Sequence, residues 1–109
     1  MDFPDIVLTR NINEGLKIYR DTPEAVLVDV RDRDEYAKGY IIGSINVPLG
    51  DLEDDIYDAA PDMSQPIFLY CVSGKRSMQA AAALRELGYD NAVSIGGIND
   101  YKDYLEKSE

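Results

Sequence analysis

The sequence predicts an α/β fold, a small, mainly parallel β-sheet flanked by helices on both faces. Short apolar runs alternate with segments whose apolar residues recur at steps of three and four along the 109 residues. The clearest run, Ala25–Val30, is rich in β-branched residues, as is typical of a parallel strand covered on both faces. No repeat, linker or low-complexity segment divides the chain. We therefore expect one domain over residues 1–109.

The first elements are a strand and a helix. A short strand is predicted over Ile6–Leu8. Asn11 and Glu14 have the spacing of a capping box, which predicts a helix that ends at Thr22 and Pro23. The apolar face of this helix consists of Ile12, Leu16 and Tyr19.

The segments after the clearest strand are short. Asp32 and Glu35 have a second capping-box spacing, which predicts a helix to about Lys38. A turn, a strand and a third helix are predicted next, over Gly39–Ser44, Ile45–Val47 and Asp51–Ala60.

The central stretch carries the only cysteine. A strand over Ile67–Tyr70 leads into Cys71, and a polar loop, Val72–Arg76, follows. Helical spacing then predicts a helix over Ser77–Leu87, which Gly88 ends. The cysteine thus lies where a strand passes through a tight loop into a helix.

That position has a chemical consequence. The first N–H groups of a helix have no partner within it, and the helix dipole favours negative charge there. Gly74 lets the loop curl, and Lys75 and Arg76 add positive charge. A thiol in such a cradle has a lowered pKa and reacts as a thiolate. The alternative is a buried structural cysteine, but a core cysteine has no need of a basic, glycine-containing loop.

The remaining residues predict a strand and a helix. A strand is predicted over Ala92–Ile95, and Gly96–Gly97 is interpreted as a turn. Asn99 is predicted to cap a last helix over Asp100–Lys107. Two tyrosines of that helix are expected to pack on the body, Tyr101 and Tyr104.

Arg31 follows the clearest strand directly. Ligands of open α/β sheets gather at the carboxyl ends of the strands, so Arg31 is a candidate substrate-binding neighbour of Cys71. The alternative is a surface arginine or a structural ion pair with an aspartate. Asp29 fits a structural hydrogen-bond acceptor better than a catalyst.

The composition narrows the function. A net charge of −10 argues against nucleic acid and anionic membranes as partners, since both need a basic face. The absence of histidine removes the usual general base and the commonest metal ligand, so no metal site is expected. One cysteine forms no internal disulfide, no stretch is long and apolar enough to span a bilayer, and no signal peptide is evident. We expect a cytoplasmic protein.

Taken together, these pieces resemble a single-domain rhodanese, a thiosulfate sulfurtransferase-like domain. The segments in the family's order are Leu27–Arg31 (Asp-x-Arg strand), Asp34–Gly39 (helix), Gly39–Pro48 (Gly-His-Ile-Pro-Gly-Ala-x-Asn-x-Pro), Tyr70–Ser77 (Tyr-Cys-x-x-Gly-x-Arg-Ser), Gly88-Tyr89 and Gly96–Ile98. The resemblance covers nearly the whole chain. The departures are Tyr40, Ile42 and Tyr101, where the family often has His, Pro and Trp.

The resemblance implies sulfane-sulfur transfer through a persulfide on Cys71. The donor would be a small sulfur-containing anion such as thiosulfate, or a protein persulfide, and the acceptor a thiol or cyanide. Lys75, Arg76 and Arg31 would attract an anionic donor. No metal or organic cofactor is implied. The residues expected to hold the persulfide are Val72, Ser73, Gly74, Lys75, Arg76 and Ser77.

Three alternatives remain at this point. A cysteine-dependent phosphatase or arsenate reductase on the same fold has a loop one residue longer than the four residues between Cys71 and Arg76. Many non-catalytic interaction modules of the family have lost the cysteine, which this chain keeps. A persulfide carrier would exchange sulfur between proteins and use thiosulfate poorly.

Overall fold

A computed structural model describes residues 11–107, so the strand predicted over Ile6–Leu8 lies outside the described residues. The helices are α1 (Ile12–Asp21), α2 (Arg33–Lys38), α3 (Leu52–Ala59) and α4 (Lys75–Leu87). The strands are β1 (Val26–Asp29), β2 (Ile45–Asn46), β3 (Ile67–Cys71) and β4 (Ala92–Gly97). Two 3₁₀ turns cover Leu49–Asp51 and Ile98–Asp100.

The four strands form one parallel sheet in the order β2-β1-β3-β4. Alternate side chains of β3 enter two separate apolar cores, as the pleat of a strand requires. Ile67, Leu69 and Cys71 pack with residues of α3 and α4 on one face. Phe68 and Tyr70 pack with residues of α1 on the other. The predicted α/β fold with helices on both faces is confirmed, and none of the described helices is long and apolar enough to cross a membrane.

The predicted caps are found at three helix ends. The Asn11 side chain accepts a hydrogen bond from the Asn13 N–H at 2.9 Å at the start of α1. The capping box of Asp32 and Glu35 begins α2. Gly88 ends α4 with φ +110°, a left-handed conformation that favours glycine.

The helix predicted over Asp100–Lys107 is wrong. The side-chain amide of Asn13 accepts from the Lys102 N–H (3.1 Å) and donates to the Asp100 carbonyl (2.9 Å), a backbone acceptor that a helix would use itself. The chain then pairs with Tyr40 through Glu106, in two backbone hydrogen bonds of 2.8 Å. Tyr104 is 71% exposed, so the packing expected for it is also wrong.

Candidate active site

Cys71 ends β3 with 1% of its surface exposed, and α4 begins only four residues later. The helix starts at Lys75, two residues before the predicted start, because Gly74 at φ +102° reverses the chain immediately before it. Arg76 and Ser77 therefore belong to the first turn of a helix of 13 residues, where N–H groups have no partner within the helix.

The sulfur of Cys71 accepts hydrogen bonds from N–H groups of the loop and of this first turn. The Gly74 N–H lies 3.0 Å from Sγ and the Ser77 N–H lies 3.4 Å from it. Burial pushes the pKa of the thiol upward, but hydrogen bonds from the Ser77 hydroxyl and from the backbone N–H groups of Ser77, Gly74 and Arg76 outweigh it. The pKa of Cys71 is therefore lowered, as predicted for a thiol in an anion cradle.

A small hydroxyl cluster lies behind the sulfur. Ser77 is fully buried, and its Oγ lies 3.6 Å from Cys71 Sγ. The same oxygen lies 3.1 Å from the Gly74 carbonyl oxygen and 2.7 Å from Ser94 Oγ. Ser94 reaches this point because it lies on β4 opposite Leu69, on the face of the sheet that carries Cys71.

The glycine pair of β4 forms the floor of the loop, so its interpretation as a turn is wrong. One extra residue in β4 shifts its register, which pairs Leu69 with Ser94 but Cys71 with Gly97. Gly96 accommodates this bulge with φ +107°. A Cβ on Gly97 would collide with the Val72 carbonyl and would lie 2.7 Å from the Cα of Ser73. The loop thus rests directly on glycine backbone, a close approach that glycine in a strand permits.

The cations near the loop differ in their availability. Arg76 donates to both carboxylate oxygens of Glu35, at 2.8 and 3.1 Å. Lys75 is exposed, and no ion pair to it occurs among the described residues. The structure therefore leaves Lys75 as the loop's freely available charge, while Arg76 ties the loop to α2.

Arg31, the candidate substrate-binding residue, is held by partners of its own. Its guanidinium donates to both carboxylate oxygens of Asp29 and to the Gly39 carbonyl, at 2.6 to 3.1 Å. It lies 6.0 Å from the ring centroid of Tyr70, whose side chain enters the core on the face opposite Cys71. The contacts of Arg31 are those of the structural ion pair, the alternative that the sequence left open.

Sequence reasoning missed three contributors to this site. The sequence predicts Glu35 only as part of a capping box, gives no signal for the contact of Ser94, and favours a turn at Gly96–Gly97. A glycine pair ending the strand beside a reactive cysteine was the available signal, since it permits close backbone approach. No pattern in the sequence indicates the other two contacts, which depend on the packing of α2 and β4.

We expect Glu35→Gln to lower the stability of the protein by about 1 kcal/mol at neutral pH. Hydrogen bonding from Arg76 lowers the pKa of Glu35 from 4.5 to about 2 in the folded protein. Because the folded-state pKa is depressed, this stabilisation is present above pH 4.5 and is lost as the pH falls through about 2. Denaturant unfolding of wild type and variant should therefore converge in acid.

A second ion pair serves as the control for this change. Arg33 and Asp51 are 3.3 Å apart, and their side chains are 73% and 48% exposed. Asp51→Asn should change stability less than Glu35→Gln, because solvent screens this pair more strongly. Equal losses in the two variants would mean that the Glu35–Arg76 pair does not hold the loop.

Cys71 is a buried cysteine that accepts hydrogen bonds from N–H groups of a loop at the carboxyl edge of a parallel sheet. This arrangement defines the class of proteins whose thiolate lies in an anion-binding loop. Within that class, the chain belongs to the family of rhodanese-like domains, whose model matches residues 13–104. The predicted family is thereby confirmed.

Characterised relatives agree with this assignment. The thiosulfate sulfurtransferase PspE of Escherichia coli is 36% identical over 73 residues, covering 67% of this chain and 70% of the relative. The human thiosulfate:glutathione sulfurtransferase is 35% identical over 95 residues, covering 76% and 81%. A solved rhodanese with anions from E. coli superposes with a TM-score of 0.72 at 32% identity, covering 77% of this chain and 99% of that one. The protein is a sulfurtransferase of the rhodanese type, and its substrates contain sulfur.

Proposed function

We propose that the protein moves sulfane sulfur as a persulfide on Cys71. The observation that carries this proposal is the convergence of backbone N–H groups on a buried sulfur, with Gly74 N at 3.0 Å and Ser77 N at 3.4 Å. Such donors stabilise an anion at that point in both the ground state and the transition state. The lowered pKa of Cys71 supplies the thiolate that reacts.

The first half-reaction loads the cysteine. The thiolate Sγ attacks the sulfane sulfur of thiosulfate, so a bond between Sγ and that sulfur forms. The sulfur–sulfur bond of thiosulfate breaks, and its electron pair leaves with sulfite. The product is a Cys71 persulfide anion. The N–H groups of the loop Val72–Ser77 and the start of α4 would hold its terminal charge.

The second half-reaction unloads it. A thiolate or cyanide attacks the terminal sulfur, which leaves Cys71 as a thiolate and forms a persulfide or thiocyanate. The two steps balance without an external oxidant or reductant. They form a double-displacement cycle, so ping-pong kinetics are expected. Because the cycle needs a reduced Cys71, a reducing compartment such as the cytoplasm is part of the proposal.

The surroundings of the loop bear on the donor. Arg76 is paired with Glu35, which leaves exposed Lys75 to attract an anion such as thiosulfate. A protein persulfide is the second donor class in this proposal. The same pairing speaks against a phosphatase or arsenate reductase, since an oxyanion needs the loop arginine for itself.

Intact mass spectrometry tests the proposal. Wild-type protein incubated with thiosulfate should gain the mass of one sulfur atom, and cyanide should remove that mass. Initial rates at several donor and acceptor concentrations should give parallel double-reciprocal lines. If neither thiosulfate nor a low-molecular-weight persulfide adds sulfur, the persulfide mechanism is refuted, and the phosphatase and interaction-module alternatives become the better explanations.

A further inference from the structure

We propose that Ser94 is a positioning residue for Cys71: its hydroxyl donates to Ser77 Oγ and thereby turns the single Ser77 proton toward the sulfur. The oxygens of the two hydroxyls lie 2.7 Å apart, and Ser77 Oγ lies 3.6 Å from Sγ. This inference rests on the proposed function only in giving the thiolate its role as nucleophile and leaving group.

The direction of the hydrogen bond between the two serines follows from counting protons. Ser94 Oγ accepts the Gly96 N–H at 3.3 Å. Within residues 11–107, Ser77 Oγ is the acceptor that the Ser94 proton reaches. Ser94 therefore donates to Ser77, which fills one lone pair of Ser77 and leaves the Ser77 proton for another partner.

The partner of that proton changes with the state of the sulfur. As a thiol, Cys71 donates to Ser77 Oγ, and the Ser77 proton goes to a carbonyl oxygen, that of Gly74 at 3.1 Å or that of Gly96 at 3.4 Å. As a thiolate, Cys71 has no proton, and a hydrogen bond to its negative charge is stronger than one to a neutral carbonyl. The Ser77 proton then turns to Sγ, while Ser94 keeps the Ser77 oxygen supplied with a donor. The pair acts as a two-position hydroxyl chain that favours the thiolate.

A substitution at Ser94 leaves the charged groups around the sulfur unchanged. From α4, Arg76 faces the site and is paired with Glu35 of α2, and Lys75 is exposed. From the end of β1, Arg31 is paired with Asp29. β4 carries no titratable side chain over Ala92–Gly97. Tyr70 precedes the cysteine, and burial raises the pKa of its hydroxyl above the ordinary value.

The test uses two substitutions of the same shape, Ser94→Thr and Ser94→Val, together with Ser94→Ala. With [3-¹³C]cysteine, the single cysteine gives one ¹³Cβ resonance, whose shift with pH reports the thiolate without any sulfur donor. We expect Ser94→Val and Ser94→Ala to raise the pKa of Cys71 by about one pH unit, which reduces the thiolate fraction below the pKa roughly tenfold. Ser94→Thr should keep the pKa near the wild-type value. Thermal unfolding shows that each variant is folded.

Ser44→Ala is the matched control. Ser44 is also buried, and its hydroxyl binds the Ile41 carbonyl at 2.7 Å and the Tyr70 hydroxyl at 3.0 Å. It should lower thermal stability without moving the Cys71 resonance. An unchanged pKa in Ser94→Val, an equal shift in Ser44→Ala, or a Thr variant that behaves like Val would each overturn the proposal.

The rate of loading gives an independent measurement. In Ser94→Val the loading rate should fall roughly tenfold below the thiolate pKa and approach the wild-type rate above it. A purely structural defect would lower the rate equally at every pH. The resonance is measured on protein that carries no persulfide. Failure of the persulfide mechanism and failure of this proposal therefore give different results.

Discussion

Cys71→Ser is expected to abolish sulfur transfer, with a loss of at least roughly 10³-fold in rate, and to remove the mass gain after incubation with thiosulfate. A serine hydroxyl ionises far above neutral pH, so the N–H groups of Gly74 and Ser77 would face a neutral, weakly nucleophilic oxygen. The measurement is the thiosulfate:cyanide assay, run beside intact mass spectrometry of the same samples.

The fold should survive this change. Cys71 is one small residue in an apolar cluster that includes Leu69, Ala80 and Leu84. Cys71→Ala, which removes the polar atom altogether, separates loss of the nucleophile from damage by a buried hydroxyl. Both variants should unfold cooperatively, and both should be inactive. Sulfur transfer retained in either variant would place the reacting group outside the loop.

Gly97→Ala is expected to destabilise the protein by about 3 kcal/mol and to slow sulfur transfer roughly 100-fold. Backbone torsion is not the reason, since Gly97 has φ −130°. The reason is space, because the added Cβ would collide with the Val72 carbonyl, which also accepts the Asn99 N–H at 3.2 Å. The loop would have to lift, and its N–H groups would leave the sulfur.

A glycine elsewhere in the chain provides the control. Gly50 is exposed, and nothing lies within 4 Å of a Cβ built on it. Gly50→Ala should keep the wild-type stability to within about 0.5 kcal/mol and the wild-type rate. Chemical denaturation and the sulfur-transfer assay on both variants decide the matter. A Gly97→Ala protein of normal stability and rate would show that the loop does not depend on this floor.

Much of the fold was accessible from local patterns. The parallel sheet follows from the apolar run Ala25–Val30 and from the alternation of strands and helices. The caps at Asn11 and Asp32 are side-chain contacts over a few residues, so spacing alone predicted them. The helix predicted over Asp100–Lys107 does not form, because Asn13, which is distant in the sequence, binds the backbone at Asp100 and Lys102.

The candidate site divides in the same way. The lowered pKa of Cys71 arises from the Ser77 hydroxyl and from N–H groups within six residues of the cysteine, and the loop sequence predicts it. The partners of Arg31 and Arg76 are decided by the packing of side chains. Arg31 binds Asp29 and the Gly39 carbonyl, and Arg76 reaches Glu35 across 41 positions of the chain. A residue's position at the end of a strand gives its edge of the sheet but not the direction of its side chain.

The floor of the loop also concerns the order in which the site is completed during synthesis. Gly96–Gly97 and Asn99, on which the loop rests, follow Cys71 in the chain by more than twenty positions. A nascent chain that has emerged only as far as α4 already contains the loop's own donors, but neither its floor nor the hydroxyl of Ser94. The loop therefore gains its support, the glycine backbone and the Asn99 N–H, only when β4 joins the sheet.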